Sequence, residues 1–184
     1  VLTRGDDTFV PLSARMSLAR EAGADLLISL HADALEGPQT TGATVYTLAA
    51  AGEEVNRRLA ERHGRGDLLA GLDLTGQDDQ VAAVLMDLAR QETAPAAERL
   101  ADALLSGLRE AGAPLNSRPR RSAVLAVLQA ADFPSVLLEA GFLSHDGDRE
   151  RLASREGRAE IVAGLVAGIT GWAAEEAARA PLVR

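Results

Sequence analysis

A layered α/β domain is predicted by three observations in the amino-acid sequence. Hydrophobic residues make up 47% of the 184 residues and aromatics 3%, so the core must be built from Leu, Val, Ile and Ala. That composition suits helices packed on a sheet better than an aromatic-rich β-sandwich. Short apolar runs bounded by Gly, Pro or polar residues are interspersed with longer amphipathic stretches, the pattern of strands among helices. The length matches one domain of about 100 to 200 residues, long enough to bury a core.

Residues 1–3 read as the tail of a strand. Residues 12–22 have helical spacing, with Leu12, Ala19 and Ala22 near one face and Gly23 as the stop. Residues 26–30 form a short apolar run that closes on His31, Ala32 and Asp33, as expected of a strand buried on both faces. Residues 42–48, GATVYTL, alternate and are rich in β-branched side chains, a second strand nearer the sheet edge. Residues 53–63 form a polar helix. Residues 78–91 carry Val81, Val84, Leu85 and Leu88 on one stripe, and Pro95 opens a further helix with Leu100, Leu104 and Leu108, ended by Gly112 and Pro114. Residues 123–128 and 136–138 are two more strands separated by a turn over 132–134. Ile161, Leu165, Ile169 and Trp172 mark a closing amphipathic helix, frayed after Ala177. There is no internal repeat.

The formal charge of -8 argues against a nucleic-acid binder, since phosphate recognition needs a clustered positive surface. The densest basic run, Arg118, Arg120 and Arg121, reads as a solvated loop, with no aromatic residue interleaved to stack bases. The absence of cysteine rules out disulfides, thiolate ligands and a thiol nucleophile. Apolar stretches fall short of the roughly 18 to 20 residues needed to cross a bilayer, and no leader opens the chain. The expectation is a soluble chain with no membrane span. It begins Val-Leu-Thr-Arg inside an apolar run, as a fragment would.

Three histidines, His31, His63 and His145, bound any imidazole-based site. His31 ends a predicted buried strand, and in open α/β sheets ligands gather beyond the carboxyl ends of strands. Glu139 closes the Val-Leu-Leu run in the same way, where a carboxylate is costly unless paired, solvated or used. Taken singly, each is more often a hydrogen-bonded structural residue. Together they resemble the imidazole and the proton-transferring carboxylate with which zinc hydrolases cleave amides.

The segment LTRGDDTFVPLSARMSLAREAGADLLISLHADA, followed by GATVYTL and by VLQAADFPSVLLEAGFLS, resembles the zinc-dependent N-acetylmuramoyl-L-alanine amidases of the cell-separation type, amidase class 3. The match runs over residues 2–172. The resemblance implies a mixed, mostly parallel sheet flanked by helices in a three-layer sandwich, with zinc held by two histidines and a glutamate. A second glutamate is catalytic. His31 matches the second zinc histidine, Glu139 the catalytic glutamate, and Arg15 a characteristic arginine with a structural pairing role. The implied reaction cleaves the amide between the lactyl group of muramic acid and L-alanine in peptidoglycan. The implied setting is the periplasm, with a divisome-linked activator protein as partner.

The departures are equally specific. The family's first zinc histidine lies in a DPGHGG stretch and its zinc glutamate a helix later, and this sequence contains neither. Residues 1–184 are therefore expected to be a catalytic domain without its first strand and helix, binding zinc weakly, hydrolysing nothing alone and exposing unpaired sheet edges. Residues 53–93 occupy the place of an insertion that, in the cell-separation type, sets a glutamate on the zinc until an activator removes it. Here AERHGRGDLLAGLDL resembles the inhibitory part, and His63 stands where the blocking glutamate is expected. Two readings stay open, a metal-capping histidine and an exposed helix-end residue, with Glu61 and Glu54 as the next capping candidates. His145 reads as a loop residue and Asp146 as the cap of the following helix. Asp33 and Asn56 carry too little signal to assign. A catalytically inactive peptidoglycan-binding or regulatory module of the same fold is the competing reading. An unrelated metallopeptidase would need ligands beyond His31 and Glu139.

Overall fold

The computed structural model describes residues 1–34, 40–49 and 79–179, with side chains left undescribed at 79–83 and 85–87. In chain order the elements are α1 (Leu12–Glu21), β1 (Leu27–His31), β2 (Ala43–Leu48), α2 (Asp79–Glu110), β3 (Leu115–Ala123), β4 (Ser135–Glu139), α3 (Asp146–Ala153) and α4 (Arg155–Arg179). The polar helix expected over 53–63 lies outside the described residues, as does all of the 53–93 insertion before residue 79. The chain divides into two compact units, Val1–Leu27, Leu48–Pro95 and Val124–Ser135 in one, Ile28–Thr47, Ala96–Ala123 and Val136–Arg184 in the other.

The second unit holds most of the sheet, a four-stranded array in the order β1-β4-β2-β3. β2 runs antiparallel to β4, with Thr44 opposite Glu139, Val45 opposite Leu138 and Tyr46 opposite Leu137. β1 runs parallel to β4, because the partners climb together: the Leu27 N–H donates to the Pro134 carbonyl and the Ala140 N–H to the His31 carbonyl, both at 2.9 Å. The sheet is therefore mixed and accompanied by helices, the α/β class that the composition implies. All five residues of β4 are buried, which is why it reads as an uninterrupted apolar run. β2 lies inside the array and not near its edge, since its Ala43, Thr44, Val45 and Thr47 are buried. β1 is at the outer end, with Leu30 61% exposed, so it is not buried on both faces as its apolar sequence implied. Gly42 enters β2 at φ +81°, and a Cβ there would lie 2.6 Å from the Leu115 carbonyl carbon, so only glycine fits.

Three further expectations change. The strand falls on Leu115–Ala123, whereas the apolar run 123–128 supplies a 3-10 turn over Ala126–Leu128. β3 is polar because it is the other outer strand, which also tolerates Pro119. Arg118, Arg120 and Arg121 thus sit in a strand and not in a loop, and Arg120 pairs with Glu98 and Asp102 of α2. Charges along an outer strand discourage edge-to-edge pairing. Residues 1–3 form no strand.

α2 is one helix of 32 residues with Pro95 in its interior, not two helices divided there. Proline removes one helical hydrogen bond, and complete burial of Leu100, Leu104 and Leu108 outweighs that loss. Val84 and Leu88, by contrast, are exposed. α4 lies against the carboxyl half of α2 at backbone contact: a Cβ on Gly107 would be 2.3 Å from the Gly164 carbonyl oxygen, and one on Gly164 2.6 Å from the Leu108 Cα. Trp172 Nε1–H donates to the Ala96 carbonyl at 3.1 Å, and Arg99 holds Glu176 through bonds of 2.5 and 2.9 Å. By length and composition alone, α4 is long and apolar enough to cross a membrane, although its sequence was expected to fall short of that.

In the first unit, α1 ends at Glu21 with Ala22 as its C-cap, and Gly23 turns the chain at φ +63°, as its sequence position implied. Met16 and Ala19 are buried, while Ala22, expected on the same face, is exposed. Arg20 grips Asp132 with bonds of 2.6 and 3.1 Å.

Candidate metal centre

β1 and β4 are parallel neighbours, so their carboxyl ends open on the same side of the sheet. His31 ends β1, Glu139 ends β4, and Asp33 follows two residues after His31. One donor atom from each lies within 4.8 Å of the other two. Two turns are laced together to hold them. The Ala140 N–H donates to the His31 carbonyl at 2.9 Å and the Leu143 N–H to the Asp33 carbonyl at 2.8 Å. The Asp33 N–H donates to Glu139 Oε2 at 3.1 Å. Asp33 Oδ1 stands 3.7 Å from His31 Nδ1, beyond a hydrogen bond but close enough for its charge to act.

Glu139 is 5% exposed. Burial pushes its carboxyl up from the ordinary value; the Asp33 N–H pulls it down, the Asp33 carboxylate pushes it up again, and His31 pulls it down, leaving it raised. A carboxyl so poised takes up a proton more readily than an exposed one. An imidazole and two carboxylates are hard-to-borderline donors of the kind that hold zinc and similar divalent ions. Donors around one tetrahedral zinc stand about 3.5 Å apart given bonds near 2.1 Å, so the observed spacing fits such an ion after small side-chain movements.

Behind the site, Asp148 is a buried carboxylate that the sequence reading did not single out. It accepts from the Thr41 hydroxyl at 2.7 Å and from the Gly42 and Phe142 N–H groups at 2.9 Å each, tying the entry of β2 to the loop after Glu139. The available signal was its position in the first turn of α3. The helix is capped by His145, whose Nδ1 accepts from the Asp148 N–H at 3.2 Å. His145 is therefore the cap in place of Asp146, which is the first helical residue. Arg15 is on α1, where its Nε donates to the Val10 carbonyl at 2.8 Å, bracing backbone. His63, Glu54, Glu61 and Asn56 lie outside the described residues.

Residues 1–171 match the N-acetylmuramoyl-L-alanine amidase family Amidase_3. The chain is 32% identical over 173 residues to N-acetylmuramoyl-L-alanine amidase AmiA of Escherichia coli K12, covering 93% of this chain and 60% of that one. It is 30% identical to AmiC of E. coli O6:H1, covering 96% of this chain and 42% of that one. It therefore spans about three fifths or less of these relatives' length. Among solved structures, Ami1 of Mycobacterium smegmatis superposes with a TM-score of 0.64 at 21% identity over 94% of this chain and 65% of that one. The CwlD amidase of Clostridioides difficile, solved in complex with the GerS lipoprotein, gives 0.65 at 17% identity over 95% and 75%. At such identities the likeness is one of fold.

Proposed function

Because the chain belongs to the N-acetylmuramoyl-L-alanine amidase family, we propose that it is the catalytic part of a zinc hydrolase that cleaves the amide between the lactyl group of N-acetylmuramic acid and L-alanine in peptidoglycan. The observation that carries the reading is the convergence of His31, Asp33 and Glu139 at the ends of two parallel strands. His31 would hold the ion. When bound, zinc supplies Lewis acidity that polarises the amide carbonyl and makes water acidic enough to attack near neutral pH. Glu139 has its Oε2 engaged by the Asp33 N–H, which leaves Oε1 to take the proton of the attacking water. As the new C–O bond forms and the C–N bond breaks, Glu139 passes that proton to the departing amine. The products are a lactyl carboxylate and a stem peptide with a free L-alanine amino group.

The enzyme would act in the periplasm, where its substrate lies, in wall remodelling and daughter-cell separation. Residues 53–93 would keep it inactive, with His63 capping the metal until an activator protein withdraws it. The complex of CwlD with a lipoprotein supports a protein partner for amidases of this fold. Full-length His63→Ala is expected to work without activator; equal dependence on activator in variant and wild type would reject the cap.

The test of the main reading is release of stem peptides with an L-alanine amino terminus from purified sacculi by the full-length protein, with and without a chelator. Release that stops on chelation and returns with zinc supports the amidase. Sacculus binding without any release, even after deletion of residues 53–93, would make the protein a binding module of the same fold.

A further inference from the structure

We propose that Asp148 is a positioning residue for Glu139, ending the β2–β4 ladder past the Thr44–Glu139 rung and setting the course of the loop that fixes the Glu139 carboxyl. The proposal rests on the amidase reading and extends it to a residue outside the cluster of His31, Asp33 and Glu139. Asp148 is 5% exposed, and a buried carboxylate persists only where donors satisfy it. The strand register shows what those donors would otherwise do. Thr44 stands opposite Glu139, so the next rung of the same kind would join the Gly42 N–H to the Gly141 carbonyl. Alternate N–H groups of an antiparallel strand face the same neighbour, and Ala43 sends its N–H to the Pro114 carbonyl, on the β3 side, at 2.7 Å. The Gly42 N–H therefore faces β4, yet it donates to Asp148 Oδ2 at 2.9 Å. The same oxygen accepts the Phe142 N–H at 2.9 Å, and the Thr41 hydroxyl holds Oδ1 at 2.7 Å. A carboxylate thus stands where the next rung would have closed. A Cβ on Gly141 would lie 3.2 Å from Asp148 Cβ, Cγ and Oδ2, so the backbone there lies flush against it.

Past this stop the loop is led toward β1 through a continuous path of hydrogen bonds. Phe142 is held on Asp148, its neighbour Leu143 donates to the Asp33 carbonyl at 2.8 Å, and the Asp33 N–H donates to Glu139 Oε2 at 3.1 Å. Displacing Phe142 therefore moves the donor that holds Oε2. Without the carboxylate the ladder is free to close by another rung, which draws the loop toward β2 and away from Asp33. The His31 carbonyl, by contrast, is bonded to the Ala140 N–H, before the stop, so the metal-binding histidine keeps its place. Misplacing a reacting group by about 1 Å can cost on the order of 10²-fold in rate, and a site is only as precise as the contacts behind it.

Asp148→Asn in the full-length protein removes the charge with little change of shape. Its kcat for stem-peptide release is expected to fall about 10- to 100-fold, with KM and zinc affinity, measured by chelator competition, unchanged. Gly164→Ala, whose new Cβ meets Leu108 of α2, controls for lost stability and should keep its kcat. Amide hydrogen exchange, followed without zinc or substrate, reads the stop itself. In wild type the Gly42 and Phe142 amides should be protected, and in Asp148→Asn the Phe142 amide should exchange faster while Tyr46 and Leu137, farther along the ladder, keep their protection. Free exchange of Gly42 and Phe142 in wild type overturns the proposal without recourse to any variant. So does an Asp148→Asn that keeps its kcat, that loses it only as far as Gly164→Ala does, or that loses zinc in step with rate. A full-length wild type that releases no stem peptides refutes the amidase reading and with it the link to catalysis, whereas the exchange data still decide whether Asp148 ends the ladder.

Discussion

At the scale of single residues, Glu139 is nearly fully buried, and that burial raises its carboxyl above the ordinary value. Glutamine would retain its shape and still accept the Asp33 N–H, but could not take a proton from water. Glu139→Gln is expected to lower stem-peptide release by at least about 10²- to 10⁴-fold while leaving the melting temperature equal or higher, since a buried charge is removed. Release above a tenth of wild type would point to another base. Its cross-strand partner Thr44 is fully buried, and its Oγ1 has no hydrogen-bond partner among the described residues. Thr44→Val should therefore be neutral or stabilising by up to about 1 kcal/mol in urea unfolding; a loss of that size would reveal a partner for the hydroxyl. His31 and Glu139 were legible in the sequence because each ends an apolar run, where a polar side chain is conspicuous. Asp33 and Asp148 were not, because an acidic residue in a turn or a first helical turn looks ordinary until the fold shows what faces it.

At the scale of elements, legibility followed burial. β4 and the carboxyl half of α2 announced themselves because buried faces demand apolar side chains. β3 hid because an outer strand carries Arg and Pro, and the apolar run after it supplied buried Val127 and Leu128 to a 3-10 turn instead. The break expected at Pro95 did not occur, since the packing of Leu100, Leu104 and Leu108 overrides a local preference. The packing of α2 on α4 also yields a matched pair of tests. Gly164→Ala puts a methyl group 2.6 Å from the Leu108 Cα, forcing two backbones apart. A net loss of about 1 to 3 kcal/mol is expected in spite of alanine's better helix propensity. Gly171 lies in the same helix with nothing within 4 Å of its would-be Cβ, so Gly171→Ala should stabilise by up to about 1 kcal/mol. Equal effects in chemical unfolding would mean that the two helices do not approach as described.

At the scale of the whole molecule, a chain of formal charge -8 depends on where its carboxylates are held. Asp148 is pushed up by burial, but the Thr41 hydroxyl, the Phe142 and Gly42 N–H groups and nearby His145 more than offset this and leave it below the ordinary carboxylate range. The side-chain bonds from Arg99 likewise lower Glu176. Groups whose folded-state value is depressed contribute stability that is complete above the unfolded value, near pH 4 for a carboxylate, and lost as pH falls through the folded value. The contribution of these two carboxylates should therefore be constant from neutrality down to about pH 5 and be lost below about pH 4, while Glu139, whose carboxyl is raised, acts in the opposite sense and favours the fold as pH falls. Asp148→Asn isolates one contribution. Near pH 7 it turns an amide N–H toward donors that had shared a carboxylate, at a cost of about 1 to 3 kcal/mol. As pH falls below the folded-state value, wild-type Asp148 takes up a proton and forfeits the same advantage, so the two unfolding free energies should converge. A gap that stays constant from pH 7 to about pH 2 would mean that the charge of Asp148 contributes nothing, and that the tie between the entry of β2 and the loop carrying Glu139 rests on shape alone.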